Sequence, residues 1–224
     1  MSSRHREAVK QMVPRQFVGQ ARLLLQRMQA EEDAHMEAVK PSLGDLFNRL
    51  IRHPERRLRE GQFRALATAW KAAPQRYRLQ FCASVEPRGR WGTVTEVRVG
   101  STKVHKLAWE PGNFEHGACL HSLDLALPSK RLTAPTLRYT PVCHVGLHAL
   151  ARRYERGGDA PDAVLVAEMR LMAQGFLGAC KEADARDTLQ IDTKGGRWSG
   201  DFANMEYPDT DDVDLVFFVR TFLD

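Results

Sequence analysis

The stretch HVGLHALARRYERGG, residues 144–158, decides the fold because a strand gives way to a helix within it. The preceding residues, LRYTPVCHV (137–145), read as a strand, and the apolar spacing predicts a helix over 147–156. The Gly157–Gly158 pair then ends the helix. One face of this helix is apolar, so it needs a sheet to pack on. The residues of that face are Leu147, Leu150, Ala151 and Tyr154.

The edge of the apolar face carries the first candidate functional residues. His148 lies there, with Arg152 and Glu155 beside it at the i+4 and i+7 positions. Burial at such a border restrains side chains while their tips still reach a substrate. Arg153 and Arg156 point elsewhere, towards solvent or a phosphate group. The alternative is an ordinary solvated basic face.

Residues 1–76 read as a helical region. Apolar residues recur at helical spacing from Gln16 to Val39, and Pro41 and Ser42 are expected to break the run. Ser42 is a plausible N-cap for a second helix that ends at Pro54. A third helix is predicted over residues 55–72.

Residues 77–224 read as an α+β body. Short alternating segments at 78–86, 92–101, 103–110, 119–127 and 137–145 predict a twisted antiparallel sheet with packed helices. A further helix is predicted over 161–182, then a hairpin over 187–203 that turns at Gly195 and Gly196. The apolar segment DLVFFVRTFLD predicts a central last strand.

The charge pattern favours a polyanionic partner. Residues 1–76 carry a net charge of +7 and residues 77–186 carry +4, whereas residues 187–224 carry −6. A basic body suits nucleic acid as the partner. No apolar run reaches the roughly 18 residues that a membrane span needs, and no secretory signal is recognisable, so a cytoplasmic location and no membrane partner are expected.

Metal and cofactor sites are not expected. The four cysteines form no CxxC pair, which leaves a zinc site unsupported. His144 and His148 have i, i+4 spacing, but Val145 stands where HExxH has glutamate and Gly146 disfavours helix there. His116 and His121 could in principle add ligands, although no spacing requires them.

The motif HALARRYERG resembles the HA-x-x-R-x-x-x-R-G helix of the barnase/EndoU/colicin/RelE-like superfamily of metal-independent RNase toxins. Many of these proteins end in a strand with a Lys/Arg–Thr pair, which FVRTFL resembles through Arg220 and Thr221. The match covers about residues 144–224. The long helical region, the strands of 78–127 and the helix at 161–182 have no counterpart in the minimal toxins.

The resemblance implies an endoribonuclease in which the ribose 2′-OH attacks the adjacent phosphate, so RNA rather than DNA is the expected partner. His148 is then the expected general acid/base, Arg152 the phosphate clamp and Thr221 a further donor. Arg153, Arg156 and Arg220 are expected to bind nucleic acid. Strand alternation places Arg220 and Thr221 on opposite faces. His121 is a candidate second titrating group.

Two other functions fit the sequence. A non-catalytic nucleic-acid-binding module would use the arginine-rich side of residues 49–64, including Arg56 and Arg59. A protein–protein adaptor would dock through the N-terminal helices, and an inhibitory partner is also conceivable. In the adaptor the acidic loop 206–214 could mimic nucleic acid, or it could cover the protein's own basic surface through Asp209, Asp211, Asp212 and Asp214.

Overall fold

The computed structural model describes residues 13–52, 68, 71–72, 76–79, 83–88, 94–110, 113–126, 136–158, 160–179, 189–206 and 213–223. The helices in these residues are α1 (Arg15–Arg52), α2 (Leu147–Arg156) and α3 (Asp162–Ala179). The strands are β1 (Ala83–Arg88), β2 (Val94–Glu110), β3 (Asn113–Ala126), β4 (Thr136–Gly146), β5 (Leu189–Thr193), β6 (Gly196–Glu206) and β7 (Val213–Leu223).

The strands form one sheet in the order β1-β2-β3-β4-β7-β6-β5. Every pairing is antiparallel except that of β4 with β7, which is parallel and covers Cys143–Val145 against Phe217–Val219. The predicted α+β class is therefore confirmed, with one parallel pair inside the antiparallel sheet. The last strand is central, as its apolar sequence predicted.

One face of the sheet carries the core. Leu120 pairs with Cys143, Cys143 with Phe217, and Trp198 with Phe222, and all of these side chains are buried. Side chains of α1, α2 and α3 belong to the same apolar cluster. The helices therefore pack on this face, which we call the core face.

The prediction that the first helix breaks at Pro41 and Ser42 is wrong. Helix α1 continues through Pro41 to Arg52 as a single element of 38 residues. An internal proline removes one backbone hydrogen bond and bends a helix, but it does not have to end it. The predicted third helix lies outside the described residues except for Thr68, Lys71 and Ala72, which are helical.

The first half of the sheet has fewer and longer strands than the sequence predicted. The described parts of the segments 92–101 and 103–110 form one strand, β2 (Val94–Glu110), because Gly100 and Ser101 pair with Ser122 and His121 of β3. Strand β3 begins at Asn113, six residues before the predicted segment 119–127. A continuous partner strand thus overrides the local turn signals.

None of the helices within the described ranges is long and apolar enough to cross a membrane.

Candidate active site

Helix α2 packs as its apolar spacing predicted. Leu150, Ala151 and Tyr154 are buried, and Leu147 is partly buried against the same core. Ala149 is fully buried as well. The helix therefore follows β4 directly and lies on the core face, with His148 fixed one residue into its first turn.

One side of α2 forms a cluster of four polar residues, His148, Arg152, Glu155 and Arg156, which we call the basic flank. His148 is half-buried, and burial is the main cause that lowers its pKa. The guanidinium groups of Arg152 and Arg156 lower the pKa further, while Glu155 opposes them. The imidazole is therefore neutral at neutral pH and able to accept a proton.

The expected phosphate clamp, Arg152, is already occupied. Its Nη1 atom lies 2.5 Å from Oε2 of Glu155, and its side chain is only 7% exposed. A phosphate group would have to displace this carboxylate. Arg156, which is exposed at the end of the helix, is better placed to meet a ligand.

Arg156 connects the basic flank to the last strand. Its Nη1 atom donates to the Phe222 carbonyl oxygen at 2.7 Å, and the Thr221 hydroxyl lies 3.5 Å from the same oxygen. This carbonyl belongs to the part of β7 that extends beyond its last pair with β4, Val145 with Val219. Arg156 and Thr221 thus both contact the Phe222 carbonyl.

A β-bulge changes the expected direction of Arg220. Ser199 pairs with Thr221 and Gly200 pairs with Val219, so Arg220 is the extra residue on β7. Val219 and Phe222 both point into the core, which leaves Arg220 and Thr221 together on the opposite face. The expectation that they face opposite sides is therefore wrong.

Arg220 is exposed to solvent on that opposite face. Its guanidinium pairs with Asp201 at 2.6 Å and lies 5.5 Å from the ring centroid of Phe218. Arg220 and Thr221 therefore both lie across the sheet from α2, and neither extends the basic flank.

The expectation that Arg153 faces solvent or phosphate is wrong. The Arg153 side chain is 2% exposed, and its Nε and Nη2 atoms each donate to the Glu168 carboxylate at 2.7 Å. Its guanidinium also lies 5.0 Å from the ring centroid of Phe222. Arg153 is therefore a structural residue that ties α2 to α3 and β7.

Two glycines make room for this buried ion pair. A methyl group at Gly157 would overlap the Arg153 guanidinium, and one at Gly195 would overlap both Arg153 and Glu168. The glycine of the HALARRYERG motif thus has a packing role here. Sequence reasoning missed Glu168, although a carboxylate among Leu165, Met169 and other apolar residues of one helix face signals a buried partner.

The other candidate histidines lie away from α2. Leu120 points into the core, so its neighbour His121 lies on the opposite face and is buried. His144 is fully buried beside Phe218 on that same face. His121 is therefore not a second titrating group next to His148. In the part of the chain that the structure describes, no three His, Cys, Asp or Glu side chains are grouped to hold a metal ion.

Several predicted residues cannot be located. Arg56 and Arg59 lie outside the described residues, as do Asp209, Asp211 and Asp212 of the acidic loop. Asp214 is part of β7.

Comparison with known proteins gives no family for the chain. No protein-family model matches it, and neither the curated proteins nor the solved structures contain a significant match. The resemblance to the RNase toxins thus rests on the motif residues alone.

Proposed function

We propose that the protein is a metal-independent endoribonuclease and that His148 is its general base. The observation that carries the proposal is the state of His148, a half-buried imidazole whose pKa is lowered by burial and by two guanidinium groups. A neutral imidazole beside fixed positive charge is what the attack of a ribose 2′-OH on a phosphate requires.

The chemistry needs few groups. His148 takes the proton from the 2′-OH while the 2′ oxygen forms a bond to phosphorus. The bond from phosphorus to the 5′ oxygen breaks, and that oxygen takes its proton from water or from the imidazolium. Arg156 contacts the non-bridging oxygens as their charge develops. The products are a 2′,3′-cyclic phosphate and a 5′-hydroxyl.

Arg152 has a supporting role in this proposal, whereas Thr221, on the opposite face of the sheet, has none. Arg152 keeps the imidazole neutral through its charge, while Glu155 holds the guanidinium in place at 2.5 Å.

The test is cleavage of a fluorescently labelled RNA by the protein and by its His148→Gln variant. We expect the variant to lose cleavage by about 10²-fold or more, the usual range for removal of a general base. EDTA should leave the rate unchanged, and a substrate with 2′-deoxyribose throughout should not be cut. Because the pKa of His148 is lowered, activity should persist at pH values below 6.5.

The matched control is His116→Gln, which changes another partly exposed histidine outside the basic flank. It should retain full cleavage. Loss of activity with EDTA, or an equal effect of both substitutions, would contradict the proposal. RNA binding without turnover by the unmodified protein would instead support a non-catalytic binding module.

A further inference from the structure

A groove opens between helix α1 and the start of helix α3. It has a volume of about 270 Å³, near the lower end of the range for small-molecule sites. Its lining includes Gln20, Leu23, Arg27, Tyr154, Pro161 and Asp162. Neither α1 nor α3 has a counterpart in the minimal RNase toxins, so the groove is not a site that the resemblance implies.

The charged groups of the groove neutralise each other. Arg27 forms an ion pair with one carboxylate oxygen of Asp162, and the other oxygen accepts a hydrogen bond from the Tyr154 hydroxyl at 2.7 Å. The protein itself thus occupies both oxygens of this carboxylate, and the lining has no net charge. Such a groove suits an uncharged ligand, because a charged group placed in it would lose water without gaining a partner ion.

The remaining lining of the groove fits a planar ligand with polar edges. Leu23 is 52% exposed and Pro161 is exposed, so both offer apolar contacts to a ligand. The exposed Gln20 amide can donate and accept hydrogen bonds. A nucleobase has an apolar ring face and an edge of donors and acceptors, which matches these contacts.

A basic and aromatic cluster adjoins the groove. The guanidinium carbons of Arg76 and Arg27 lie 5.3 and 5.9 Å from the ring centroid of Tyr77, and Arg27 also lines the groove. Tyr77 is partly exposed, and the exposed Arg76 forms no ion pair within the described ranges. An aromatic ring can stack on an unpaired base, while a neighbouring cation binds the phosphate of the same strand.

The backbone that carries this cluster is fixed by side chains of two helices. The Glu31 carboxylate of α1 accepts hydrogen bonds from the backbone N–H groups of Arg76, at 2.8 Å, and Tyr77. The carbonyl of the next residue, Arg78, accepts hydrogen bonds from Arg170 of α3 at 2.6 and 3.0 Å. The segment is thus held in place before a ligand binds, which lowers the entropy cost of binding.

We propose that the groove and the Tyr77 cluster form a binding site for single-stranded RNA. One base lies in the groove, the next base stacks on Tyr77, and the Arg76 guanidinium binds the phosphate between them. Both bases must be unpaired to reach these positions, so the site excludes duplex RNA. The site specifies the form of substrate for the proposed ribonuclease, and it rests on that function only for the choice of RNA.

The test is binding of a fluorescent single-stranded oligoadenylate with 2′-O-methyl riboses, measured by fluorescence anisotropy. This strand has no free 2′-OH, so binding is measured apart from cleavage. We expect Tyr77→Leu to raise the dissociation constant about tenfold, the usual effect when a stacked base loses its aromatic partner. Tyr77→Phe keeps the ring and should bind like the unmodified protein. The same strand paired in a duplex should bind about tenfold more weakly or worse.

A second variant tests the groove itself. Leu23→Glu places a carboxylate on its wall, and we expect the dissociation constant to rise about tenfold. Because Leu23 is exposed, the melting temperature should stay unchanged. Ala38→Glu is the matched control, since it adds the same charge at an exposed position about 22 Å further along α1. It should bind RNA like the unmodified protein.

Equal affinity for the single strand and the duplex would overturn the proposal, as would a protein that binds neither. Unchanged binding by Tyr77→Leu or Leu23→Glu, or an equal loss in Leu23→Glu and Ala38→Glu, would also overturn it. Cleavage of ordinary RNA separates this result from the proposed function. Binding as expected without cleavage would contradict the ribonuclease alone, whereas cleavage with an unchanged KM in Tyr77→Leu and Leu23→Glu would contradict this site alone.

Discussion

Arg153 shows how a residue that looks functional in the sequence can have a structural role. Its guanidinium is almost fully buried and is neutralised by the Glu168 carboxylate through two hydrogen bonds of 2.7 Å. A buried charge is tolerated only when it is paired and hydrogen-bonded. The three arginines of the motif, Arg152, Arg153 and Arg156, therefore differ in environment although they are chemically identical.

We predict that Glu168→Gln destabilises the protein by about 3–5 kcal/mol, because it leaves the Arg153 charge buried without its partner. Urea unfolding followed by circular dichroism measures this free energy. The control is Asp192→Asn, which breaks the exposed pair of Asp192 with Arg197 and should cost less than about 1 kcal/mol. Similar losses from the two substitutions would contradict a buried role for the pair.

Sequence reasoning placed some residues of the candidate site correctly and others wrongly. His148 and Arg152 were expected on one flank of α2, and the structure places them there together with Glu155. The periodicity of a single helix contains that information. The burial of Arg153 depends on α3, and the direction of Arg220 depends on its register with β6, so neither could be derived from local spacing.

At the scale of elements, helix α2 ends at a glycine, and the Arg153 side chain of the same helix fills the space that a larger residue would need there. The helix stops at Gly157, whose backbone N–H donates to the Arg153 carbonyl at 2.9 Å while the Arg153 guanidinium lies against the glycine itself. The glycine is required by this close approach, since its φ of −87° is available to any residue. The end of α2 and the burial of Arg153 are thus one structural feature.

We predict that Gly157→Ala destabilises the protein, because the added methyl group displaces the Arg153 guanidinium from Glu168. The cost should be in the range of about 1–3 kcal/mol for overpacking. Gly19→Ala is the matched control, because a methyl group at Gly19 in α1 meets no atom within 4 Å. That change should stabilise the helix by about 1 kcal/mol. Thermal unfolding of both variants tests the pair, and a stabilising Gly157→Ala would contradict the packing argument.

The elements that sequence reasoning predicted well have strong periodic patterns. Helices α2 and α3, the hairpin of β5 with β6 and the central strand β7 all appear near their predicted places. The continuous helix through Pro41 and the merged strand β2 were missed. In β2 the pairing with β3 determines the conformation, and a rule based on neighbouring residues does not include that contact.

At the scale of the whole molecule, a cluster of buried polar side chains connects helix α1 to the rest of the fold. Glu32 and Arg78 form a buried ion pair of 2.9 Å, and Arg170 of α3 donates to the Arg78 carbonyl. His35 lies one turn from Glu32 and is 4% exposed. Burial, together with the charge of Arg78, lowers the pKa of His35 to about 4.

We predict that this histidine makes the folded protein less stable in acid. Above pH 6.5 the imidazole is neutral in both the folded and the unfolded chain. As the pH falls from 6.5 to about 4, the unfolded chain takes up a proton that the folded chain resists. The resulting loss of stability is on the order of 2 kcal/mol.

The measurement is the free energy of unfolding of the protein and of His35→Leu between pH 7 and pH 4. The difference between the two should change across this window, because the variant has no imidazole to titrate at that position. A difference in unfolding free energy that stays constant between pH 7 and pH 4 would contradict the prediction. Changes common to both proteins come from the other titrating groups.

The parallel pair of β4 with β7 has a consequence for how the two halves of the sheet hold together. Strands β1 to β4 are consecutive neighbours, and so are β5 to β7, but the halves meet only at Cys143–Val145 and Phe217–Val219 among the described residues. Closing a loop of about seventy residues to make this contact costs about 4 kcal/mol of chain entropy. Three residue pairs are a short junction for that cost. Helix α2 follows β4 directly and packs on β7, so its contacts help to hold the two halves of the sheet together.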